Sequence, residues 1–215
     1  MSGDHHHDAS PSPFTEKRRN SQETAQLDER TRKLEALLVD KGIVAEDTLD
    51  RLVDLYENDI GPEYGAKVIA RAWVDSAFKT RLLSDATTAI RELGYGGLQG
   101  EHMLVVENTA AVHNVVVCSL CSCYPWPLLG LPPSWYKNTA YRSRLPIDPR
   151  GVLLEFGLDF PESVEIRVWD SSAEIRYLVM PERPAKTSGW QEDDLAALVS
   201  RGAMIGVARA KEPGE

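Results

Sequence analysis

Residues 117–127 read VCSLCSCYPWP and contain all three cysteines of the 215-residue chain. The valine-rich stretch that leads into them, Val112–Val117, predicts a strand. Four prolines follow between positions 125 and 133. Because proline fixes φ and lacks a backbone donor, this density excludes a helix or a central strand at those positions. The three cysteines are therefore predicted to lie on a stiff loop that leaves a strand.

Cys118, Cys121 and Cys123 are too close in sequence to staple distant segments, so they indicate one chemical site rather than a disulfide framework. Thiolates favour soft or borderline transition metals, and a spacing of i, i+3 and i+5 on a tight turn lets three sulfurs reach one ion. Three other interpretations stay open: buried structural cysteines, a redox Cys-x-x-Cys pair, and structural zinc. Zinc needs a fourth side-chain ligand, for which only His102 and His113 lie outside the N-terminal histidine run.

The peptide backbone offers a further way to complete the ligand set. A Cys-Ser-Cys tripeptide wrapped around an ion can present the amide nitrogens of Ser122 and Cys123 beside the three sulfurs. This arrangement leaves one position of an octahedron open. Deprotonated amides are strong donors that suit a low-spin trivalent ion, which acts as a Lewis acid rather than as an electron carrier.

Composition and charge narrow the class of protein. The chain has 24 Lys and Arg against 33 Asp and Glu, a net charge of −9. This balance argues against general affinity for nucleic acid or an anionic membrane, because proteins hold phosphates mainly through basic side chains. No apolar run reaches the roughly 18 residues that span a bilayer, and the N-terminus has no apolar signal region. We therefore expect a cytoplasmic protein.

The pattern along the chain predicts three segments. Residues 1–22 are polar, carry the run His5–His7 and are predicted to be a disordered tail. Residues 23–95 show apolar side chains at three- and four-residue spacing, which predicts a helical N-terminal segment. Residues 96–210 are predicted to form an α+β domain that carries the cysteine loop.

Strand patterns in the last segment predict its sheet. Met103–Glu107 reads as a strand, and Val164–Trp169 alternates at period two with Ile175–Met180 as its expected hairpin partner. A short helix is predicted after Asp148-Pro149, and a further strand at Ala203–Ala208. The expected fold class is α+β, with the N-terminal helical segment followed by a layered α/β domain whose strands are largely antiparallel.

The run Cys118–Cys123, CSLCSC, resembles the metal-binding signature of the nitrile hydratase α subunit. The resemblance extends over about residues 25–210. Its further matching stretches are 56–58, 97–101, 105–109, 124–127, 129–133, 135–137, 141–144 and 168–172. The six-residue signature with its proline-rich continuation is a very specific motif.

The resemblance implies an activity and a set of site residues within a catalytic domain at 96–210. It implies that nitriles are hydrated to amides at a metal held by Cys118, Cys121, Ser122 and Cys123, with amide nitrogen from Ser122 and Cys123. Cys121 is expected as the sulfinic acid and Cys123 as the sulfenic acid. Gln99 and Trp126 fall at positions expected near the pocket, and together with Cys121 and Cys123 they form the predicted catalytic set. Whether activated water or the Cys123 sulfenate attacks the nitrile stays open.

The resemblance also implies a cofactor and partners. Ser119, after the first cysteine, is typical of iron forms, whereas Tyr124-Pro125 and Tyr56-Glu57-Asn58 are typical of cobalt forms. We expect one Co(III) per α subunit, with Fe(III) as the alternative. The expected partners are a nitrile hydratase β subunit in an (αβ)2 assembly, an accessory metal-loading protein and a small nitrile.

Two alternatives to this activity stay open. The first is the metal subunit of thiocyanate hydrolase, which shares the signature, although Trp126 and Leu131–Pro133 favour the nitrile enzyme. The second is a zinc-stabilised interaction module without catalysis.

Overall fold

The computed structural model of the chain describes residues 21–55, 61–97 and 102–214. Its α-helices are α1 (Ser21–Asp40), α2 (Thr48–Asp54), α3 (Glu63–Val74), α4 (Ser76–Ser84), α5 (Ala86–Glu92), α6 (Trp126–Leu129), α7 (Thr139–Arg144), α8 (Pro149–Glu155), α9 (Glu192–Ala196) and α10 (Arg201–Ile205). A 3-10 helix covers Ser134–Lys137. Its strands are β1 (Met103–Glu107), β2 (Val112–Val117), β3 (Glu165–Asp170) and β4 (Arg176–Met180). None of these helices combines the length and apolar character needed to cross a bilayer.

Helix α8 shows how local sequence sets an element's bounds. The side chain of Asp148 accepts a hydrogen bond from the backbone N–H of Gly151, and Pro149 stands at the first helical position. Gly157 follows the helix with φ +83°, a left-handed conformation that suits glycine. A cap, a first-turn proline and a glycine stop thus confirm the short helix that the sequence predicts here.

The strands pair differently from the sequence prediction. β1 pairs with β4 in parallel, and β2 pairs with β3 in parallel, so the described residues form two parallel pairs. The prediction of a largely antiparallel sheet, with Ile175–Met180 as hairpin partner of Val164–Trp169, is wrong. Period-two alternation specifies that one strand face is buried, but it does not identify the partner strand. The chain does turn after β3, where Ser172 N–H donates to the Ile175 carbonyl, yet β4 then joins β1.

The segment predicted as a strand at Ala203–Ala208 is also different. Its first residues belong to helix α10, whose N-terminus is capped by the Ser200 side chain. The helix ends at Gly206, with φ +92°. A short apolar run is compatible with either a buried strand or a buried helix, and here the flanking serine cap and glycine stop decide for the helix.

The cysteine loop lies at one end of the parallel pair β2–β3, next to the hydrophobic core. Val115, Val116 and Val117 of β2 are at most 2% exposed, and the cysteines follow directly. The pairing continues beyond the strands, because Ser171 N–H donates to the Val117 carbonyl at 2.7 Å. The carboxyl ends of β2 and β3 therefore meet where the loop begins. The division of the chain at residues 22 and 95 stays a prediction, and residues 1–20 lie outside the described residues.

Candidate metal centre

The three cysteines converge on one point. The Sγ atoms of Cys118, Cys121 and Cys123 all lie within 4.8 Å of one another, with Cys118 to Cys121 at 3.3 Å and Cys121 to Cys123 at 3.1 Å. Cys118 and Cys123 are buried at 1% and 9% exposure, whereas Cys121 is exposed. We call Cys118–Cys123 the claw. The sulfur site is therefore closed by protein on the side of Cys118 and Cys123 and open to solvent on the side of Cys121.

Backbone groups of the claw also point at the sulfurs. The N–H of Cys121 donates to Cys118 Sγ at 3.3 Å. The pKa of Cys121 is lowered to about 7, first by the hydrogen bond from the Cys123 thiol, and further by the backbone N–H groups of Cys123 and Ser122. Burial raises the pKa of Cys123 to about 12. Of these two thiols, Cys121 therefore loses its proton more readily, and the amides of Ser122 and Cys123 favour its thiolate form.

His113 does not supply a fourth ligand. Its Nε2 donates to the Gly206 carbonyl at 2.7 Å, and its Nδ1 accepts from the Asn108 amide at 3.2 Å. We assign the proton to Nε2 because a carbonyl can only accept. His102 is also outside the sulfur cluster. Within residues 21–55, 61–97 and 102–214, the grouped donors of the claw are therefore sulfur alone, which does not match the four side-chain ligands of structural zinc.

Two residues from other elements hold the claw backbone. Asp170, the last residue of β3, accepts from the backbone N–H of Ser119 at 2.9 Å and from its hydroxyl at 2.5 Å. The Tyr136 hydroxyl donates to the Cys123 carbonyl at 2.9 Å. Neither contact could be predicted from the sequence, because both join the claw to residues outside it and neither partner belongs to a recognisable ligand spacing.

Arg142 and Arg176 interact with the claw, whereas Arg144 pairs with a residue outside it. Arg142 donates to the carbonyls of Cys118 and Ser119. Arg144 instead forms an ion pair with Glu155 at 2.6 Å. Arg176 of β4 is 5% exposed, and its charge lowers the pKa of Cys123 against the larger effect of burial. Arg176 lies far along the chain from the cysteines, so no local pattern in the sequence links it to them.

A model of the family described as nitrile hydratase, alpha chain, matches residues 25–208. The chain belongs to this family. The low-molecular-weight cobalt-containing nitrile hydratase subunit alpha of Rhodococcus rhodochrous is 59% identical over 186 residues, 86% of this chain and 90% of that protein. A double mutant of the Fe-type nitrile hydratase of Comamonas testosteroni Ni1 matches with a TM-score of 0.83 and 42% identity, over 88% of this chain and 92% of that chain. Thiocyanate hydrolase subunit gamma of Thiobacillus thioparus is more distant, at 41% identity over 83% of this chain and 77% of that protein.

Of the other residues that the nitrile hydratase resemblance singled out, Trp126 is described and Gln99 is not. Trp126 is the first residue of α6, three positions after Cys123, and is half-buried against the core. Gln99 lies outside the described residues. The structure therefore brings together Cys118, Cys121 and Cys123 with the amides between them, while the catalytic roles of Gln99 and Trp126 stay predictions.

Proposed function

We propose that this chain is the metal-bearing α subunit of a nitrile hydratase, that it hydrates nitriles to amides, and that its metal is Co(III). One observation carries the proposal: the three sulfurs of the Cys118–Cys123 loop lie within 4.8 Å of one another. Membership of the nitrile hydratase α-chain family supports the same activity. The full set of donors comes from six consecutive residues of one loop.

The donors of the claw suit a trivalent ion. Cys118, Cys121 and Cys123 would hold it through sulfur, and Ser122 and Cys123 through their amide nitrogens. When bound, the ion supplies Lewis-acid activation of the nitrile and of water. The exposed Cys121 sulfur has room for the two oxygens of a sulfinic acid. The buried Cys123 sulfur suits the single oxygen of a sulfenic acid, whose oxygen can accept a proton or act as the nucleophile.

The residue type of Ser119 alone suggests iron, but its environment in the structure leaves the choice of metal to other features. Its hydroxyl is bound to Asp170 rather than directed at the sulfurs. A threonine at this position has the same hydroxyl, so a serine here does not select the metal through its own chemistry. The Rhodococcus rhodochrous relative that is 59% identical is named as cobalt-containing, whereas the Fe-type structure is 42% identical. These similarities support Co(III), with one ion per α subunit.

Exposed apolar surface supports a partner subunit. Leu120, within the claw, is 88% exposed beside the exposed Cys121. Leu34 and Leu37 of α1 are 57% and 48% exposed. A β subunit packed here would close the open side of the claw and bury these leucines in an αβ unit, with (αβ)2 as the expected assembly. The proposal also includes an accessory protein that loads the metal into this chain.

Co-expression with the β subunit in cobalt-supplemented medium tests the proposed function. We expect amide formation from a simple nitrile, about one cobalt per chain, and no turnover by this chain alone. Cys118→Ser should lose both the metal and the activity, because it removes a buried sulfur donor. Ser143→Ala, on the exposed side of α7, serves as the matched control. Zinc with three unmodified thiols, or turnover of thiocyanate instead of nitriles, would contradict the proposal.

The two further predicted catalytic residues need their own variants. We expect Gln99→Ala and Trp126→Ala to lower nitrile turnover without lowering cobalt content, because neither residue belongs to the donor set. Unchanged kcat and KM in either variant would remove that residue from the proposed pocket.

A further inference from the structure

Arg142 binds two consecutive carbonyls of the claw. Its Nε donates to the Cys118 carbonyl at 3.1 Å, and its Nη2 donates to the Ser119 carbonyl at 3.0 Å. Both nitrogens lie on one edge of a planar guanidinium, so a single rigid group sets the direction of both carbonyls. The ammonium of a lysine is a point donor without this paired geometry.

The peptide unit that joins Cys118 to Ser119 is held at both of its polar atoms. Its oxygen accepts from Arg142, and its N–H donates to Asp170 at 2.9 Å. Two groups of opposite charge therefore oppose rotation of this peptide. Cys118 Sγ is attached through Cβ to the same backbone and accepts from the N–H of Cys121, so the orientation of this peptide affects where the sulfurs meet.

Arg142 is itself fixed by a well-packed segment. The neighbouring Tyr141 is fully buried, and its hydroxyl donates to the Val116 carbonyl at 2.7 Å. Helix α7, which carries both residues, begins at a cap formed by the Asn138 side chain. Tyr136, just before the helix, binds the Cys123 carbonyl at the other end of the claw. The segment that carries Arg142 therefore contacts both ends of the claw, and its packing holds the guanidinium in place.

We propose that Arg142 is a positioning residue that presets the sulfur positions of the claw and thereby raises its affinity for the metal. The inference rests on the proposed function, since it assigns a role in loading the same site. Arg142 binds carbonyl oxygens and not the sulfurs, so it shapes the donor set without competing for it. Groups that orient metal ligands in this way typically change metal affinity by about 10- to 100-fold when they are removed.

Metal titration of the assembled enzyme tests this role separately from activity. The full chain, co-purified with its partner subunit and stripped of metal, is titrated with Co²⁺ without oxygen, and binding is followed by the sulfur-to-metal charge-transfer absorption. We expect Arg142→Lys and Arg142→Gln to bind Co²⁺ about 10- to 100-fold more weakly than the unaltered protein, with a shifted absorption band. Arg144→Lys is the matched control. Arg144 lies on the same helix, but its guanidinium pairs with Glu155 and not with the carbonyls of the claw.

The outcomes separate this inference from the proposed function. Weakening of threefold or more in Arg142→Lys, with unchanged circular dichroism and a normal control, supports the positioning role. Binding within threefold of the unaltered protein would overturn it. Loss of folded structure in Arg142→Lys, with Arg144→Lys still folded, would assign Arg142 to the fold and overturn it equally. Failure of the unaltered protein to bind Co²⁺ would instead overturn the proposed function together with this inference.

Discussion

The carboxylate of Asp170 binds Ser119 twice, through the backbone N–H at 2.9 Å and through the hydroxyl at 2.5 Å. Asp170 ends β3, and the parallel register places it beside Val117, the last residue of β2. This pairing is what brings a residue 51 positions away to the first turn of the claw. The contact uses the hydroxyl that serine and threonine share, which bears directly on the choice of metal.

Ser119→Thr should therefore leave the metal unchanged. Threonine keeps the hydroxyl that binds Asp170 and adds only a methyl group, so we expect the same cobalt-to-iron ratio as in the unaltered protein. Ser119→Ala loses the hydroxyl bond but keeps the backbone bond, which should cost about 1 kcal/mol of stability. Elemental analysis of protein produced with both metals available, with urea unfolding alongside, checks both expectations. A change of metal in the threonine variant would show that the residue selects the ion.

The active enzyme should carry three added oxygens on the claw. We expect two on Cys121, which is exposed, one on Cys123, which is buried, and none on Cys118. Peptide mass spectrometry over residues 115–137 of metal-loaded, active protein measures this. Protein produced without cobalt is the control and should show plain thiols. Three unmodified thiols in fully active enzyme would contradict the prediction.

Gly206→Ala should destabilise the chain strongly. Gly206 has φ +92°, and a Cβ there would lie 2.1 Å from the Asn114 carbonyl oxygen. Backbone strain and the clash together should lower the free energy of unfolding by about 3 kcal/mol or more. Gly157→Ala is the matched control, since φ is +83° but the added Cβ meets no described atom within 4 Å, so only about 1 kcal/mol is expected. Equal midpoints of urea unfolding for the two variants would contradict this account.

His113 should make stability fall as the pH drops below about 6.5. Burial lowers the pKa of His113 in the folded state, so the unfolded chain takes up its proton first. Wherever the unfolded state binds more protons, stability rises with pH, here by at most about 1.4 kcal/mol per pH unit. The other charged groups around the 580 Å³ cavity that His113 lines are Glu182, Arg183, Arg209 and Glu212.

Urea unfolding of the assembled enzyme between pH 5 and pH 8 measures this dependence. His113→Gln cannot titrate, so we expect a lower overall stability with a shallower fall between pH 7 and pH 5. His102→Gln changes an exposed histidine and should keep the slope of the unaltered protein. An unchanged slope in His113→Gln would refute the assignment to this group.

Local patterns were sufficient for several elements. The strands Met103–Glu107 and Val112–Val117, and the helix after Asp148, lie where the sequence predicts them. Each rests on signals within a few residues: apolar runs, a capping aspartate or a glycine stop. The strand predicted at Ala203–Ala208 was wrong, because a short apolar run fits either element and the Ser200 cap with Gly206 sets the bounds of a helix instead.

The claw is the part of the site that the sequence by itself determines. Its three sulfurs and two amides belong to six consecutive residues, so their meeting depends on chain geometry over one turn. Only the tertiary structure decided which strands pair. It also decided which residues surround the claw: Asp170, Arg142, Tyr136 and Arg176. Alternation reports that a strand has a buried face, but the partner is chosen by packing over the whole core. Residues that are brought together by that packing leave no spacing in the sequence by which they could be recognised.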